Sequence, residues 1–269
     1  MTDADIKDWD DAYANGAHIP GAAGYPDRWA RAARDFRAGW PDSSLDAAYG
    51  VSDRQKLDLF FPQGTSRGLV IFVHGGYWLR FDKSFWSQFA TGALRQGWTV
   101  CLPSYDLAPT VRIGDITKQI GAAVMFAAQR CDGPVRLAGH SAGGHLVTRM
   151  VCDDTPLDER TLERLETIVS ISGLHDLRPL RRTQMNASFS LTETGAAEES
   201  PALRAKITDC PVTAWVGAQE RPEFVRQSRL LSEAWPGTRF HAEPGKHHFD
   251  VIDALEDPES GLVRTLVST

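Results

Sequence analysis

The chain has few cysteines, no long apolar run and no excess of basic charge, and each shortage removes a class of function. Four cysteines, Cys101, Cys131, Cys152 and Cys210, occur in 269 residues. None forms a C-x-x-C pair and their spacing fits no zinc pattern, so reduced, buried thiols are expected. No stretch approaches the ~18–20 consecutive apolar residues that a membrane-spanning helix needs, so no membrane partner is expected. Acidic residues (35) outnumber basic ones (29), for a formal net charge of −6. That balance argues against a nucleic-acid partner, which calls for a basic face. Met1-Thr2-Asp3-Ala4-Asp5 is acidic and polar and reads as neither a secretory nor a mitochondrial signal, so a cytoplasmic location is expected. Asn186-Ala187-Ser188 has the form of a glycosylation sequon but carries no meaning without a secretion signal. No HExxH, P-loop or dinucleotide fingerprint occurs, so neither metal nor cofactor is expected.

What is present is core material: 42% of residues are hydrophobic and 24% charged, enough to build one sizeable domain or two small ones. Residues 1–45 read as an N-terminal arm with a helix over 27–38. After it, strands alternate with helices. Leu57, Leu59 and Phe61 alternate as a strand, and Leu69–Val73 is a continuous apolar run of the kind buried on both faces of a sheet. Further strands are predicted at 98–102, 135–138, 168–171, 212–216 and 239–242. Helices are predicted over 84–96, 113–130, 142–152 and 222–235. This order implies an α/β fold with a mostly parallel sheet covered on both faces. Residues 178–206 break the rhythm and read as a lid over a site.

The sharpest motif is Gly139-His140-Ser141-Ala142-Gly143-Gly144, placed between a strand and a helix. A nucleophile on such a turn projects beyond the end of the sheet, and glycines on either side of it avoid a collision. Ser141 is the candidate nucleophile, and the Ala142 N–H at the helix start is a candidate oxyanion donor. His74-Gly75-Gly76-Tyr77-Trp78 follows the apolar strand where hydrolases of this architecture place the other donors. By position these are the N–H groups of Gly76 and Tyr77, with His74 holding the loop. The general base is expected last in the chain, at His247 or His248, which base chemistry alone does not separate. The acid that orients it is expected after the 212–216 strand. Glu220 is the first carboxylate there, whereas Glu223 falls in a helix start where it suits the dipole. His18, His140, His145, His175 and His241 read as structural.

These motifs, with Gly173-Leu174-His175-Asp176-Leu177, Pro222-Glu223-Phe224, Arg226-Gln227-Ser228 and His248-Phe249-Asp250, resemble the α/β-hydrolase superfamily and, within it, the kynurenine formamidase (arylformamidase) group. The likeness runs from about residue 55 to 255. It implies a single α/β-hydrolase domain over 1–269, with His248 as the base and Glu220 as the acid. The family often has Asp at the acid position, so Glu is a departure. The implied reaction is hydrolysis of N-formyl-L-kynurenine to kynurenine and formate through an acyl-enzyme on Ser141. The alternatives are a carboxylesterase for short-chain or aryl esters and a non-catalytic relative. The partner is then a small-molecule substrate, and a homo-oligomer is compatible with the sequence. Tyr77 and Trp78 are expected to contact substrate, with Phe81, Phe85 and Trp86 available to stack on an aryl group. Tyr77 and Trp78 would shorten the acyl site. Arg181 or Arg182, in the lid, is able to pair with a substrate carboxylate; the alternative is that both are solvated surface charges, the usual case for arginine.

Overall fold

The computed structural model describes residues 6–268. Met1 to Asp5, on which the reading of the N-terminal signal rests, lie outside the described residues. Eight strands form one sheet: β1 (Ser43–Ala48), β2 (Lys56–Phe60), β3 (Leu69–Val73), β4 (Thr99–Pro103), β5 (Val135–His140), β6 (Leu165–Ile171), β7 (Val212–Gly217) and β8 (Arg239–Glu243). Their order across the sheet is β1-β2-β4-β3-β5-β6-β7-β8. The β1–β2 and β2–β4 pairs are antiparallel, and every pair from β4 to β8 is parallel.

The apolar run at β3 is buried along its whole length. Side chains alternate across a strand. Leu69, Ile71 and Val73 therefore enter one core, with Leu137 and Ile168, while Val70 and Phe72 enter a second core with Ala138 and Val169. Crossover helices Ile113–Ala128 and Ala142–Arg149 pack on the first face, and the C-terminal helix Gly261–Val267 packs on the second.

Two local readings differ from the sequence expectation. The arm contains an edge strand, β1, whose residues Ser-Ser-Leu-Asp-Ala-Ala alternate only weakly. It is bulged between Ser44 and Ala47, with Asp46 at φ 57°. The Asp46 N–H is taken up by Asp58 Oδ1 at 2.8 Å, so side-chain capture replaces a ladder bond at the bulge. The expected helix over 84–96 is broken into turns at Lys83–Phe85 and Ser87–Ala90, followed by a short helix, Thr91–Arg95. Trp86 leaves helical geometry at φ −127°, ψ 4° as its ring packs 4.8 Å from that of Trp29.

The arm itself forms a short helix, Trp9–Tyr13, N-capped by Asp8, and a longer one, Tyr25–Gly39. Residues 178–206 carry only short helical pieces, among them Arg178–Arg182, Asn186–Phe189 and Glu193–Glu198.

Candidate active site

Strand β5 delivers Ser141 into a turn with φ 55° and ψ −117°, immediately before the helix Ala142–Arg149. An L-residue pays for positive φ, and neighbouring backbone makes the turn possible. A Cβ on Gly139 would lie 2.1 Å from Gly143 O, and one on Gly143 would lie 1.9 Å from Val73 O. Only glycine fits at either position. The turn is held by the Ser141 N–H, which donates to Ile171 O at 2.8 Å. Among the described residues the Ser141 hydroxyl makes no hydrogen bond, and Ser141 lines a cavity of about 730 Å3.

The loop after β3 lies against this turn. A Cβ on Gly75 would come within 2.9 Å of Ser141 Cβ. Gly76 has φ 116°, and a Cβ there would reach Arg80 O at 2.5 Å. The loop doubles back through bonds from the Leu79 and Arg80 N–H groups to Gly76 O, at 3.0 and 3.1 Å. The N–H groups of Gly76, Tyr77 and Ala142 have no backbone or side-chain acceptor among the described residues. Gly76 and Tyr77 line the cavity; Ala142 is buried beneath it. Unspent donors beside a nucleophile suit a developing alkoxide.

His248 also lines the cavity, and its Nδ1–H donates to Glu220 Oε2 at 2.6 Å. A carboxylate accepts only, so the pairing leaves Nε2 as the basic nitrogen. Glu220 Oε1 accepts from the Gly217 N–H at 2.8 Å and from the Ser172 hydroxyl. Both side chains are almost fully buried, at 0% for Glu220 and 3% for His248. The carboxylate is thus aimed by β7 and by the residue after β6. Ser172, at φ 52°, was missed from the sequence; a small polar residue before glycine at a strand end is the only trace of it. Phe224 packs its ring 4.4 Å from the imidazole.

The other candidates separate cleanly. Glu223 faces away from His248. It accepts from Tyr13 Oη at 2.8 Å and from Gln227 Nε2 at 2.9 Å, and pairs with Arg226 at 2.6 Å. His247 turns outward to Tyr25 Oη at 3.2 Å. His140 Nε2–H donates to the His248 carbonyl at 2.8 Å. Burial, then the nearby His248, push the His140 pKa well below the usual imidazole range, so it stays neutral. His74 stacks 4.3 Å from Tyr105, and burial lowers its pKa to about 4.

The substrate-contact expectations need correction. Tyr77, Phe81 and Trp86 line the cavity, but Trp78 and Phe85 do not. Trp78 is fully buried, edge-on to His145 at 5.2 Å and to Phe189 at 5.8 Å. The loop reversal sends this large apolar ring into the core, where its burial is most favourable. Of residues 178–206 only Met185 reaches the cavity; the arm supplies much of the remaining wall, including Tyr13, Asn15 and Trp29. Arg181 pairs with Glu193 at 3.4 Å and Arg182 lies over Trp9 at 5.4 Å, so neither faces the cavity. Tyr13 and Asn15 were also missed; the Trp9/Tyr13 spacing of one helical turn was their only signal.

Among the described residues no cluster of His, Cys, Asp and Glu is arranged to hold a metal ion, and no helix is long and apolar enough to cross a membrane. The four cysteines are buried and unpaired.

The family model for the α/β-hydrolase fold matches residues 70–228. The kynurenine formamidase of Danio rerio is 29% identical over 237 residues, covering 83% of this chain and 80% of that one. The kynurenine formamidase of Salmo salar is 28% identical over 243 residues, covering 85% and 82%. A crystal structure from Silicibacter sp., provisionally described as a thioesterase, superposes with a TM-score of 0.95 at 52% identity, covering 97% of this chain and 99% of that one. The chain belongs to the α/β-hydrolase family, as an enzyme of the group that resembles kynurenine formamidases.

Proposed function

We propose that this hydrolase cleaves an aryl formamide of the N-formyl-L-kynurenine type through an acyl-enzyme on Ser141. The observation that carries the reading is the 2.6 Å Glu220–His248 bond beside the cavity that Ser141 lines, in a chain whose curated relatives are kynurenine formamidases. His248 Nε2 takes the hydroxyl proton as Ser141 Oγ attacks the formyl carbon, and Glu220 stabilises the imidazolium. The carbonyl oxygen becomes an alkoxide held by the N–H groups of Gly76, Tyr77 and Ala142. The loss of one such donor costs on the order of 10²–10³ in rate. His248 then returns the proton to the aniline nitrogen as the C–N bond breaks. Water, deprotonated by His248, attacks the formyl ester and releases formate. Tyr77, at the donor loop, bounds a short acyl site, which suits formyl.

A second reading, an esterase or thioesterase using the same residues, is favoured by the description of the Silicibacter relative. Specificity constants on N-formyl-L-kynurenine, phenyl acetate and an acetyl thioester decide between them. The formamide is expected to exceed both esters by at least tenfold; the reverse order replaces the formamidase by the second reading. A phosphonate probe should label Ser141 by mass spectrometry, and Ser141→Ala should abolish both labelling and turnover, a loss of up to roughly 10⁶. Labelling elsewhere moves the nucleophile.

A further inference from the structure

The walls of the Ser141 cavity are largely aromatic and small, yet two charged side chains stand in them that the chemistry above does not use. Arg80 lines the cavity and is exposed. Among the described residues its guanidinium has no hydrogen bond and no ion pair. Its position is fixed by the backbone, since its N–H donates to Gly76 O at 3.1 Å within the same turn that carries the candidate oxyanion donors. Asp10 lines the cavity from the arm and is half-buried. Its Oδ1 accepts from the Gln184 N–H at 2.7 Å, which orients the carboxylate and leaves Oδ2 available. No ion pair joins the two, so neither side chain is taken up by the other. Among the described residues, apart from His248, His140 and the tyrosines, they are the only titratable groups lining the cavity.

A third polar group accompanies them. Asn15 is 3% exposed and lines the same cavity. Its Nδ2 donates to Tyr77 Oη at 3.1 Å, while its Oδ1 has no donor among the described residues. Tyr77 Oη in turn donates to Tyr13 O. The Nδ2 end of the amide is therefore held by the network.

We infer that Arg80 and Asp10 form a headgroup site for a zwitterionic α-amino acid: Arg80 takes the α-carboxylate and Asp10 the α-ammonium of an aromatic substrate whose acyl nitrogen sits at Ser141. This rests on the aryl-formamide reading and names the part of the substrate that reading leaves open. One unspent cation and one unspent anion complement a zwitterion, charge for charge. A neutral ester gains nothing from either. The polyanionic carrier of a typical acyl thioester would call for several cations, where the cavity offers one. Arginine suits the carboxylate because its planar fork pairs with both oxygens.

The test compares N-formyl-L-kynurenine with 2′-formamidoacetophenone, the same aryl formamide without the amino-acid group. Arg80→Gln should lower the ratio of their specificity constants at least tenfold, through KM rather than kcat. Arg80→Lys should recover part of that loss. Asp10→Asn, which keeps the acceptor for Gln184, should lower the ratio in the same sense. Inhibition of 4-nitrophenyl acetate hydrolysis by L-kynurenine gives a readout that does not depend on formamide turnover. Its inhibition constant should rise at least tenfold in Arg80→Gln. If neither formamide is cleaved but this inhibition weakens in Arg80→Gln, the reaction is misassigned and the headgroup site stands. An unchanged substrate ratio together with an unchanged inhibition constant overturns the headgroup site.

Discussion

Tyr13 and Glu223 meet at 2.8 Å through the Tyr13 hydroxyl, which donates to Glu223 Oε1 across 210 residues of sequence. Both are about 1% exposed. This bond ties the N-terminal arm, which walls the cavity, to the helix Pro222–Ala234, which starts two residues after Glu220. Burial first, and then the Glu223 charge, push the Tyr13 pKa well above the usual phenol range, so the hydroxyl remains a donor at all ordinary pH. Tyr13→Phe removes one partner of a buried charged acceptor, a loss of about 1.5–3 kcal/mol. It should lower the denaturant midpoint and raise KM as the arm loosens, with kcat changed less. A kcat loss with stability and KM intact would contradict an anchoring role.

The acid is tested by two substitutions on one carboxylate network. Glu220→Gln keeps the shape but withdraws the charge that, in the proposed mechanism, stabilises the imidazolium, and kcat should fall by roughly 10⁴. Ser172→Ala removes one hydrogen bond to the Glu220 carboxylate and should cost about tenfold in kcat, in line with ~1.5 kcal/mol for a bond to a charged group. Glu223→Gln should fall well short of Glu220→Gln in its effect on kcat. Steady-state kinetics on purified, folded variants gives the ranking; Glu223→Gln as the most damaging would reverse the assignment.

Trp78 should govern stability rather than substrate choice. Its ring is completely buried between His145 and Phe189, and Trp78→Ala should cost about 3–5 kcal/mol. Trp78→Phe should remain folded with the relative specificity constants of formyl, acetyl and butyryl substrates unchanged. A shift along that series would return the ring to the acyl site.

Acid should destabilise the fold through histidines buried in the neutral form. Burial lowers the pKa of His74 to about 4 and those of His145 and His175 to about 3, and it holds His140 well below the usual imidazole range. Unfolded, each titrates near 6.5, so the unfolded state binds more protons once pH falls below about 6.5. Stability is full above that pH and declines below it, by up to about 1.4 kcal/mol per pH unit for each histidine, until its folded pKa is reached. Denaturant midpoints measured from pH 8 to 4.5 should drop steeply below pH 6. A flat profile over that range would mean these imidazoles are charged in the native state.

Local sterics and periodicity are legible along the chain. The apolar run at β3 has the length and pattern of a strand covered on both faces. Gly139 and Gly143 mark a turn where no Cβ fits, and the strand before and helix after that turn are written in adjacent residues. β1 leaves little trace in the sequence because an edge strand needs few apolar residues, and the break at Trp86 leaves none because it is made by Trp29, far away in the chain. Which groups meet is set by packing between distant segments. Glu220 and Glu223 are three residues apart and chemically identical, yet one reaches His248 and the other Tyr13. The arm shares the cavity wall because Tyr13, Asn15 and Trp29 find partners on elements more than 50 residues away. In the sequence Trp78 reads as a substrate contact because it ends the His74–Trp78 motif beside Tyr77, but the loop reversal at Gly76 points successive side chains in different directions. Such outcomes depend on burial and hydrogen bonding summed over the folded chain, which no local pattern encodes.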